Sequence, residues 1–229
     1  MYIISKDEEY LKSIFLTRAN EGGQLMKICQ KDFAWLKKLW MRFALRRARN
    51  KNGYIYSKLN TFYLVKDPWR MISLSEQYRF AETNRLILEH FGKVKSLLEI
   101  GCGEGHQSSN LQQVCEYLTG LDVSSRAVSR AQKRCPASKF LVGDIFCQEV
   151  GELAPFDLVV ACEVLYYMSD IHSALKRIWG LSKNRLVTYY SGAMQYLDPH
   201  VLSLPGIVNE ILVFKDSRWR AAWSKQVES

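Results

Sequence analysis

The sequence predicts an α/β fold, built on a mostly parallel sheet with helices on both faces. From residue 94 onward, short apolar runs alternate with polar-apolar stretches of helical character. The runs are nearly continuous in apolar and β-branched residues, which is typical of strands that are covered on both faces. The end of the chain reads instead as two strands joined by a turn at 215–217. Strands alternating with helices therefore favour a parallel sheet that ends in a strand pair.

Five strands are predicted in the parallel part. They are VKSLLEIG (94–101), EYLTGLDV (116–123), SKFLVGDI (138–145), FDLVVACEV (156–164) and NRLVTYYS (184–191). Helices are expected between them in HQSSNLQQV (106–114), SSRAVSRAQKRC (124–135) and DIHSALKRIWGLS (170–182). Ser124 or Ser125 is a candidate N-cap of the second helix, and Asp170 of the third. The terminal strands lie within VNEILVFKDSRWRAAWSKQ (208–226).

The composition indicates a globular protein whose positive charge is unevenly placed. The 229 residues are 48% hydrophobic, enough for one large domain or a domain with an appendage. The net charge is +9. Residues 1–95 carry 19 Lys and Arg against 9 Asp and Glu, and residues 96–229 carry 13 against 14. We therefore expect a basic helical N-terminal extension at 1–65 and a compact domain at 66–229.

The densest basic stretch, FAWLKKLWMRFALRRARNK at 33–51, contains no acid. With helical periodicity, Lys38, Arg42, Arg46 and Arg49 fall on one side and Phe33, Leu36, Trp40 and Phe43 on the other. Three interpretations stay open: a helix packed on the domain, peripheral contact with an anionic membrane surface or acidic polymer, and nucleic-acid binding. No nucleic-acid motif accompanies the charge, so a nucleic-acid partner is the least favoured.

The cysteines, the histidines and the hydropathy of the chain indicate its redox state, its metal content and its location. The six cysteines contain no C-x-x-C pair, which favours reduced buried thiols. The four histidines are dispersed with no carboxylate cluster beside them, so no metal is expected. No apolar stretch reaches the roughly 20 residues that cross a bilayer, and the N-terminus is too charged for a signal peptide. A soluble cytoplasmic protein is predicted, with a position at the inner face of the membrane left open through 33–51.

Glycines or acids stand where each of the first four strands ends. These residues are Gly101, Gly103 and Gly105 after the first strand, Asp122 after the second, Asp144 after the third and Glu163 after the fourth. In an open parallel sheet, ligands bind at the carboxyl ends of strands. Glycines let the backbone turn tightly and approach a ligand. The sequence therefore predicts a ligand site at this edge.

A nucleoside with a charged tail would use each of these groups. Asp122 can accept hydrogen bonds from ribose hydroxyls, and it follows Gly103 by 19 residues, close to the spacing of about 20 seen for ribose-binding acids. Asp144 and the amide of Ile145 can bind the amino edge of an adenine, with Ile145 and Val123 on its two faces. Considered separately, the glycines could form an ordinary turn, and each strand-end Asp could simply cap the next helix.

The charge of the loop separates this ligand from NAD. The dinucleotide fingerprint is G-x-G-x-x-G, which aims a helix N-terminus at a pyrophosphate. Here the pattern is Gly-Cys-Gly-Glu-Gly, and Glu104 would stand where an anion should bind. Glu99, in the first strand, would lie near a cationic amino group. A cationic ligand without phosphates fits better.

The series LEIGCGEG, LTGLDVS, FLVGDI and FDLVVACEVLYYM, in this order over about 94–191, resembles the motifs of class I S-adenosylmethionine-dependent methyltransferases. The resemblance implies a Rossmann-like class I methyltransferase fold, with a mostly parallel seven-stranded sheet, an antiparallel C-terminal strand pair and S-adenosyl-L-methionine as cofactor. It places Glu99, Gly101, Cys102, Gly103 and Gly105 along the methionine portion, Asp122 and Val123 at the ribose and base, Asp144 and Ile145 on the adenine, and Glu163 beside the methyl group.

A narrower resemblance lies in KDPWRMISLSEQYRFAETNRLIL (66–88) together with ACEVLYYMSD. Both are similar to the nodulation N-methyltransferases of rhizobia, which methylate the amine of a chitooligosaccharide. The resemblance implies a helix over the cofactor, with Trp69, Tyr78 and Arg79 as lid and cofactor-binding candidates. An ordinary helix packed on the sheet is the alternative. The long basic segment before residue 66 departs from the family and leaves the acceptor open.

Methyl transfer needs an aligned acceptor, and a proton must leave it. Glu163, Tyr166 and His172 are the catalytic candidates that can receive this proton, and we hypothesise that Glu163 orients the acceptor. The expected function is methyl transfer to an amine or hydroxyl of a small molecule, with sugars and glycoconjugates favoured. Methylation of RNA or protein, and a non-catalytic S-adenosylmethionine-binding regulator, stay open as alternatives. The sequence does not predict an oligomeric state.

Overall fold

The computed structural model describes residues 55–225, with side chains described from Leu59 onward. The helix predicted at 33–51 lies outside the described residues, as does most of the predicted extension. The boundary at 65/66 stays a prediction. Within the described part, helix α1 (Ile55–Phe62) precedes this boundary and packs on the sheet domain, since Leu59, Phe62 and Tyr63 are buried.

The centre of the fold is one seven-stranded sheet in the order β3-β2-β1-β4-β5-β7-β6. Its strands are β1 (Val94–Ile100), β2 (Cys115–Asp122), β3 (Lys139–Val142), β4 (Phe156–Cys162), β5 (Ser182–Tyr190), β6 (Val208–Phe214) and β7 (Ser217–Lys225). The first five strands are parallel, and β7 pairs antiparallel with both β5 and β6. This arrangement confirms the predicted fold class, including the C-terminal strand pair.

Helices flank the sheet between the strands. After α1 they are α2 (Leu74–His90), α3 (Ser108–Leu111), α4 (Ser125–Arg134), α5 (Gln148–Leu153), α6 (Ile171–Leu181) and α7 (Ser191–Val201). The predicted caps are confirmed: Ser124 Oγ accepts from the Ala127 amide at 3.2 Å, and Asp170 Oδ1 from the Ser173 amide at 3.0 Å.

The helix predicted at 106–114 is wrong in length, because only Ser108–Leu111 is helical. The amides of Gln113 and Val114 bond three residues back, to Asn110 and Leu111, so the chain tightens into turns before it enters β2. Helices α5 and α7 were not predicted from the sequence. Both lie in stretches of weak periodicity, and α7 even contains Pro199.

Two apolar cores lie on opposite faces of the sheet and explain why its central strands lack polar alternation. In β4, Leu158 and Val160 belong to the core shared with α2, whereas Val159 and Ala161 belong to the core shared with α6 and α7. Successive strand residues point to opposite faces, so both faces must be apolar. No helix within 55–225 is long and apolar enough to cross a bilayer.

Candidate active site

A cavity of about 530 Å³ opens at the carboxyl ends of the central strands. Its floor is the glycine loop after β1 together with the ends of β2 and β4. One wall is formed by the segment 63–73 and the first turns of α2, and another by the turn between β6 and β7. Its volume is in the range of small-molecule and cofactor sites. The topology therefore brings the predicted strand-end residues to one place.

The glycine loop needs its glycines for two reasons. Gly101 and Gly103 have φ of +75° and +54°, a conformation that L side chains rarely adopt. A Cβ on Gly101 would lie 2.6 Å from Val164 Cγ2, and one on Gly103 would lie 3.0 Å from the Tyr63 hydroxyl. Both residues and Cys102 line the cavity. The loop thus exposes backbone where a ligand must come close.

Gly105 has a different role from the one predicted, because it does not line the cavity. A Cβ at this position would lie 2.9 Å from the backbone Cα of Ala131. The glycine therefore lets α4 pack closely against the loop.

Asp122 ties the loop to the end of β2. Its Oδ2 accepts from the Gly103 amide at 2.9 Å, and its Oδ1 from the Ser124 amide at 2.8 Å. Burial raises the pKa of this carboxyl, and the two amides oppose that rise. The side chain lines the cavity beside Val123, where it can still accept hydrogen bonds from a ribose.

Glu99 is a buried carboxyl beneath the loop. The Ser108 hydroxyl donates to its Oε2. Burial raises its pKa to about 8, opposed by the Ser108 hydrogen bond and the nearby Arg79. A cationic group in the cavity would favour the charged form. The cation predicted beside Glu99 stays a prediction.

Asp144 and Ile145 line the cavity beyond β3, as predicted for an adenine site. Asp144 Oδ1 accepts from the Phe146 amide at 2.9 Å, which fixes the carboxylate in the turn. Ile145 is buried. The second carboxylate oxygen of Asp144 has no protein partner within 55–225, so it can accept a bond from a ligand.

Tyr63 and Trp69 cover the glycine loop. Trp69 Nε1 donates to the Tyr63 hydroxyl at 3.1 Å, and its ring lies 5.8 Å from that of Tyr167. Both residues line the cavity. Trp69 thus lines the cavity and stays a lid candidate, and Tyr63 is a lining residue that sequence reasoning missed because it precedes the D-P-W segment.

Tyr78 does not line the cavity, unlike its neighbour Arg79. Its ring lies 5.0 Å from that of Phe214, so it joins α2 to β6. Adjacent helical residues point about 100° apart, and here the helix turns Arg79 and not Tyr78 towards the cavity. The structure therefore separates Tyr78 from the other cofactor candidates.

Arg79 is a buried cation between two of the acids. Its guanidinium contacts Glu76 Oε2 at 2.7 Å, and its Nη1 donates to Gln107 Oε1 at 2.8 Å. It lines the cavity near Glu99 and Glu163 and lowers the pKa of both carboxyls, against the larger effect of burial. Arg79 therefore balances charge that the acids place in a low-dielectric site.

A carboxylate-rich group anchors the segment 63–73, which forms one wall of the cavity. The Asp67 amide donates to Glu104 Oε2 at 2.8 Å, and Glu104 Oε1 pairs with Arg130. Ligand atoms of Asp67, Glu104 and His106 lie within 4.8 Å of one another, which is near enough for a metal ion. However, Arg130 occupies one Glu104 oxygen, and Arg134 Nη2 lies 3.1 Å from His106 Nε2. Two adjacent cations disfavour a metal there, so we assign the group to anchoring.

Glu163 has the most unusual environment in the cavity. Its φ is +56°, which is strained for a residue with a side chain. The Tyr166 hydroxyl and the Tyr190 amide each donate to its Oε2 at 3.2 Å. Its Oε1 is buried and has no hydrogen-bond partner among the described residues. Burial raises its pKa to about 7, opposed by Arg79. An unmatched buried acceptor that lines a cavity is a place for a ligand donor.

Two of the three catalytic candidates line the cavity, and the third does not. Glu163 and Tyr166 lie side by side on the cavity wall, whereas His172 is exposed near the start of α6 and does not line the cavity. The structure therefore does not bring His172 to the other two. Tyr190 was missed, although it is the last residue of β5 and the same strand-end rule, applied to the fifth strand, would have found it. The turn predicted at 215–217 carried no signal for a ligand site.

The cavity is acidic although the chain is basic. Eight acidic side chains line it, from Asp67, Glu76, Glu99, Glu104, Asp122, Asp144, Glu163 and Asp216. The arginines on the same lining are Arg79 and Arg218, and no lysine lines it within the described residues. Charge of this sign attracts cations and repels polyanions.

S-adenosylmethionine fits these residues. The cavity offers a loop without Cβ atoms at its floor, acids from three successive strands, and an aromatic cover from Trp69 and Tyr63. The ligand carries a sulfonium and an ammonium, which the carboxylates complement. Cation–π attraction to aromatic faces adds about 0.5–2 kcal/mol. The donor set agrees with this cofactor and not with a pyrophosphate.

Comparison with known proteins identifies the family of this chain. The family model described as Nodulation protein S (NodS) matches residues 56–189. Nodulation protein S of Sinorhizobium fredii (strain NBRC 101917 / NGR234) is 35% identical over 120 residues, 51% of this chain and 54% of the relative. That of Bradyrhizobium diazoefficiens is 36% identical over 121 residues, 50% of this chain and 56% of the relative. The chain thus spans about half the length of the curated relatives it matches.

Solved structures confirm the predicted fold. The N-methyltransferase NodS from Bradyrhizobium japonicum WM9, in complex with S-adenosyl-L-homocysteine, superposes with a TM-score of 0.61 at 24% identity, covering 76% of this chain and 99% of that one. Magnesium protoporphyrin IX methyltransferase from Synechocystis PCC 6803 with bound SAM gives 0.53 at 14%, covering 98% and 100%. At these identities, the likeness shows the fold alone.

Proposed function

We propose a function from the premise that this chain belongs to the nodulation protein S (NodS) family. The protein is an S-adenosylmethionine-dependent methyltransferase, and its acceptor is the primary amine of an amino sugar or of a glycoconjugate that carries one. The observation that carries the choice of acceptor is the buried, unpartnered Oε1 of Glu163 in an acidic cavity. Membership of the family supports the same choice, since its solved member from Bradyrhizobium japonicum WM9 is named an N-methyltransferase.

The chain's own residues hold the cofactor in distinct ways. Asp122 accepts from the ribose hydroxyls, Asp144 and the Ile145 amide bind the base, and Glu99 complements the ammonium group. Trp69 and Tyr63 close the site from above. When bound, S-adenosylmethionine supplies an electrophilic methyl group on a sulfonium.

Glu163 orients the acceptor. Its Oε1 accepts an N–H of the amine, while Tyr166 and the Tyr190 amide hold the carboxylate through Oε2. A fixed carboxylate aligns the nitrogen lone pair, and alignment can supply several kcal/mol of the barrier. With a pKa of about 7, Glu163 is charged above neutral pH and can also take the amine's proton. Activity should therefore fall as pH falls through 7.

The acidic lining argues against RNA as acceptor. A phosphate backbone would face a lining that holds, among the described residues, eight acidic side chains, Glu163 included, against two arginines. The basic stretch at 33–51, which motivated the RNA or protein alternative, lies outside the described residues. An amine acceptor is attracted by the same lining, so charge favours the amine.

We also propose where the protein is located in the cell. We assign the protein to the cytoplasm, with 33–51 as a peripheral contact to an anionic membrane surface. Flotation with vesicles that contain phosphatidylglycerol tests the contact. Charge reversal of Arg42 and Arg46 should abolish flotation, and unchanged flotation of that variant would contradict it.

A radiolabelled transfer assay tests the acceptor class. S-adenosylmethionine with a labelled methyl group is supplied with glucosamine, N-acetylglucosamine or total RNA. We expect label in glucosamine and none in its N-acetylated form, because acetylation removes the amine lone pair. Label in RNA alone would overturn the proposal. Binding of S-adenosylhomocysteine without transfer to any acceptor would indicate the non-catalytic regulator instead.

A further inference from the structure

The cavity has a second limb, beyond the groups that hold the cofactor. It is lined by Ser75 and Glu76 of α2, by Tyr190 and Ser191 at the end of β5, and by residues 216–219 of the β6–β7 turn. We call these residues the hairpin limb. Glu76 is bonded to Arg79 and the Tyr190 amide to Glu163, whereas the polar side chains of the turn are not used by the cofactor site.

Strand register places the hairpin limb next to Glu163. The Glu163 carboxylate accepts from the Tyr190 amide at 3.2 Å, and Tyr190 lies opposite Trp219 in the antiparallel β5–β7 ladder. Paired residues of such a ladder have Cα atoms about 5 Å apart. Arg218 is the next residue, and Ser217 begins β7. The limb therefore extends roughly 7 Å past Tyr190, at about 3.3 Å per strand residue.

The polar side chains at the end of the limb are unused. Asp216, Ser217 and Arg218 form no side-chain hydrogen bond or ion pair within 55–225, and all three line the cavity. Asp216 and Arg218 are exposed at its mouth. Together they offer an acceptor and a donor of opposite charge.

Contacts behind the limb hold its two walls in place. The Tyr78 ring packs on Phe214 at 5.0 Å, and Arg85 of α2 pairs with Glu210 of β6. The turn is thus fixed relative to the first turn of α2, which carries Glu76. A ligand between them would meet a preformed cleft.

We infer that Asp216 and Arg218 determine acceptor specificity by binding neutral hydroxyl or amide groups of the acceptor, one ring unit away from the amine at Glu163. The inference rests on the proposed function, since it concerns the same acceptor. A hydroxyl both donates and accepts, which matches an adjacent carboxylate and guanidinium. The negative charge of Asp216 and the positive charge of Arg218 offset each other, so the pair does not favour an acceptor with a charged group at this position. Tyr190, half exposed beside them, supplies a ring face for an apolar sugar face.

The limb predicts that acceptor length matters. A single glucosamine fills the space at Glu163, whereas its β-1,4-linked dimer also reaches Asp216 and Arg218. We expect kcat/KM to be higher for the dimer than for glucosamine. In Arg218→Met the ratio of these two kcat/KM values should fall about tenfold, the effect of losing one hydrogen bond to a charged group. The loss should appear in KM and not in kcat.

Lys183→Met is the matched control. Lys183 is an exposed cation at the start of β5, at the opposite edge of the sheet, with no side-chain contact within the described part of the chain. This variant should keep both kcat/KM values and their ratio. Asp216→Asn provides the second test, with a ratio lowered in the same direction. Affinity for S-adenosylhomocysteine, measured by calorimetry, should be unchanged in all three variants.

The outcomes separate the two claims. Transfer to both amines with the same ratio in wild type, Arg218→Met and Asp216→Asn would overturn the assignment of the limb and leave the proposed function standing. No transfer to either amine, from protein that binds S-adenosylhomocysteine, would overturn the proposed function and the inference with it.

Discussion

Replacing Glu163 with Gln should make the folded protein more stable at alkaline pH while it stops methyl transfer. The backbone of Glu163 is strained, and the carboxyl oxygen Oε1 is buried with no partner among the described residues. Gln has the same shape and no charge. Its amide oxygen can accept from Tyr166 and the Tyr190 amide as Oε2 does now. The variant thus removes the charge and keeps the packing.

The magnitude follows from the pKa. Burial, opposed by Arg79, raises the pKa of Glu163 from its ordinary value of 4.5 to about 7. The folded protein therefore binds this proton more tightly than the unfolded chain does. The carboxyl lowers the free energy of unfolding very little below pH 4.5, and it lowers it most above pH 7. The full cost is about 3 kcal/mol, at 1.36 kcal/mol for each pKa unit.

Urea unfolding of wild type and Glu163→Gln at pH 5 and at pH 8.5 measures this cost. The difference in unfolding free energy between the two proteins isolates Glu163 from every other titrating group. We expect the variant to gain roughly 2–3 kcal/mol relative to wild type between the two pH values. Its kcat should fall by at least about a hundredfold, as for a lost general base. A stability difference independent of pH would refute a buried, elevated Glu163.

Three further predictions concern the cofactor site and the excluded histidine. Gly101→Ala should weaken S-adenosylhomocysteine binding at least tenfold by calorimetry, because a Cβ would lie 2.6 Å from Val164 and left-handed backbone costs about 1–2 kcal/mol; unchanged affinity would contradict the loop geometry. Asp122→Asn should cost about 1–3 kcal/mol of stability, since a side-chain amide N–H would face a backbone N–H. It should also weaken cofactor binding. Asp157→Asn, at the other end of the sheet, should leave cofactor binding intact. His172→Ala should keep wild-type turnover in the labelled-methyl assay, and a loss of tenfold or more would return His172 to the site.

The sheet was predictable because its signals are local. Apolar runs such as the one in β4 mark strands that are buried on both faces, and the glycines and acids that follow them mark the binding edge. Glu99, Asp122, Asp144 and Glu163 all line the cavity as the strand-end rule predicted. Strand ends converge in any parallel sheet, so no tertiary information was needed.

The rest of the site depends on helix phase and strand register, which the sequence does not fix. Tyr78 and Arg79 are neighbours in the same segment, yet the phase of α2 turns only Arg79 to the cavity. Asp216 and Arg218 reach the acceptor side only because Tyr190 pairs with Trp219 across the ladder. His172 follows its helix cap by two residues and points to solvent. None of these outcomes can be deduced from residue type or spacing alone.

Calorimetric titration of the purified protein tests the central claim most directly, namely that the acidic sheet edge binds a cationic nucleoside. We expect S-adenosylmethionine and S-adenosylhomocysteine each to bind one molecule per chain, and NAD to give no heat. Binding of NAD, with no heat from either sulfur nucleoside, would contradict the assignment of the cavity and everything built on it.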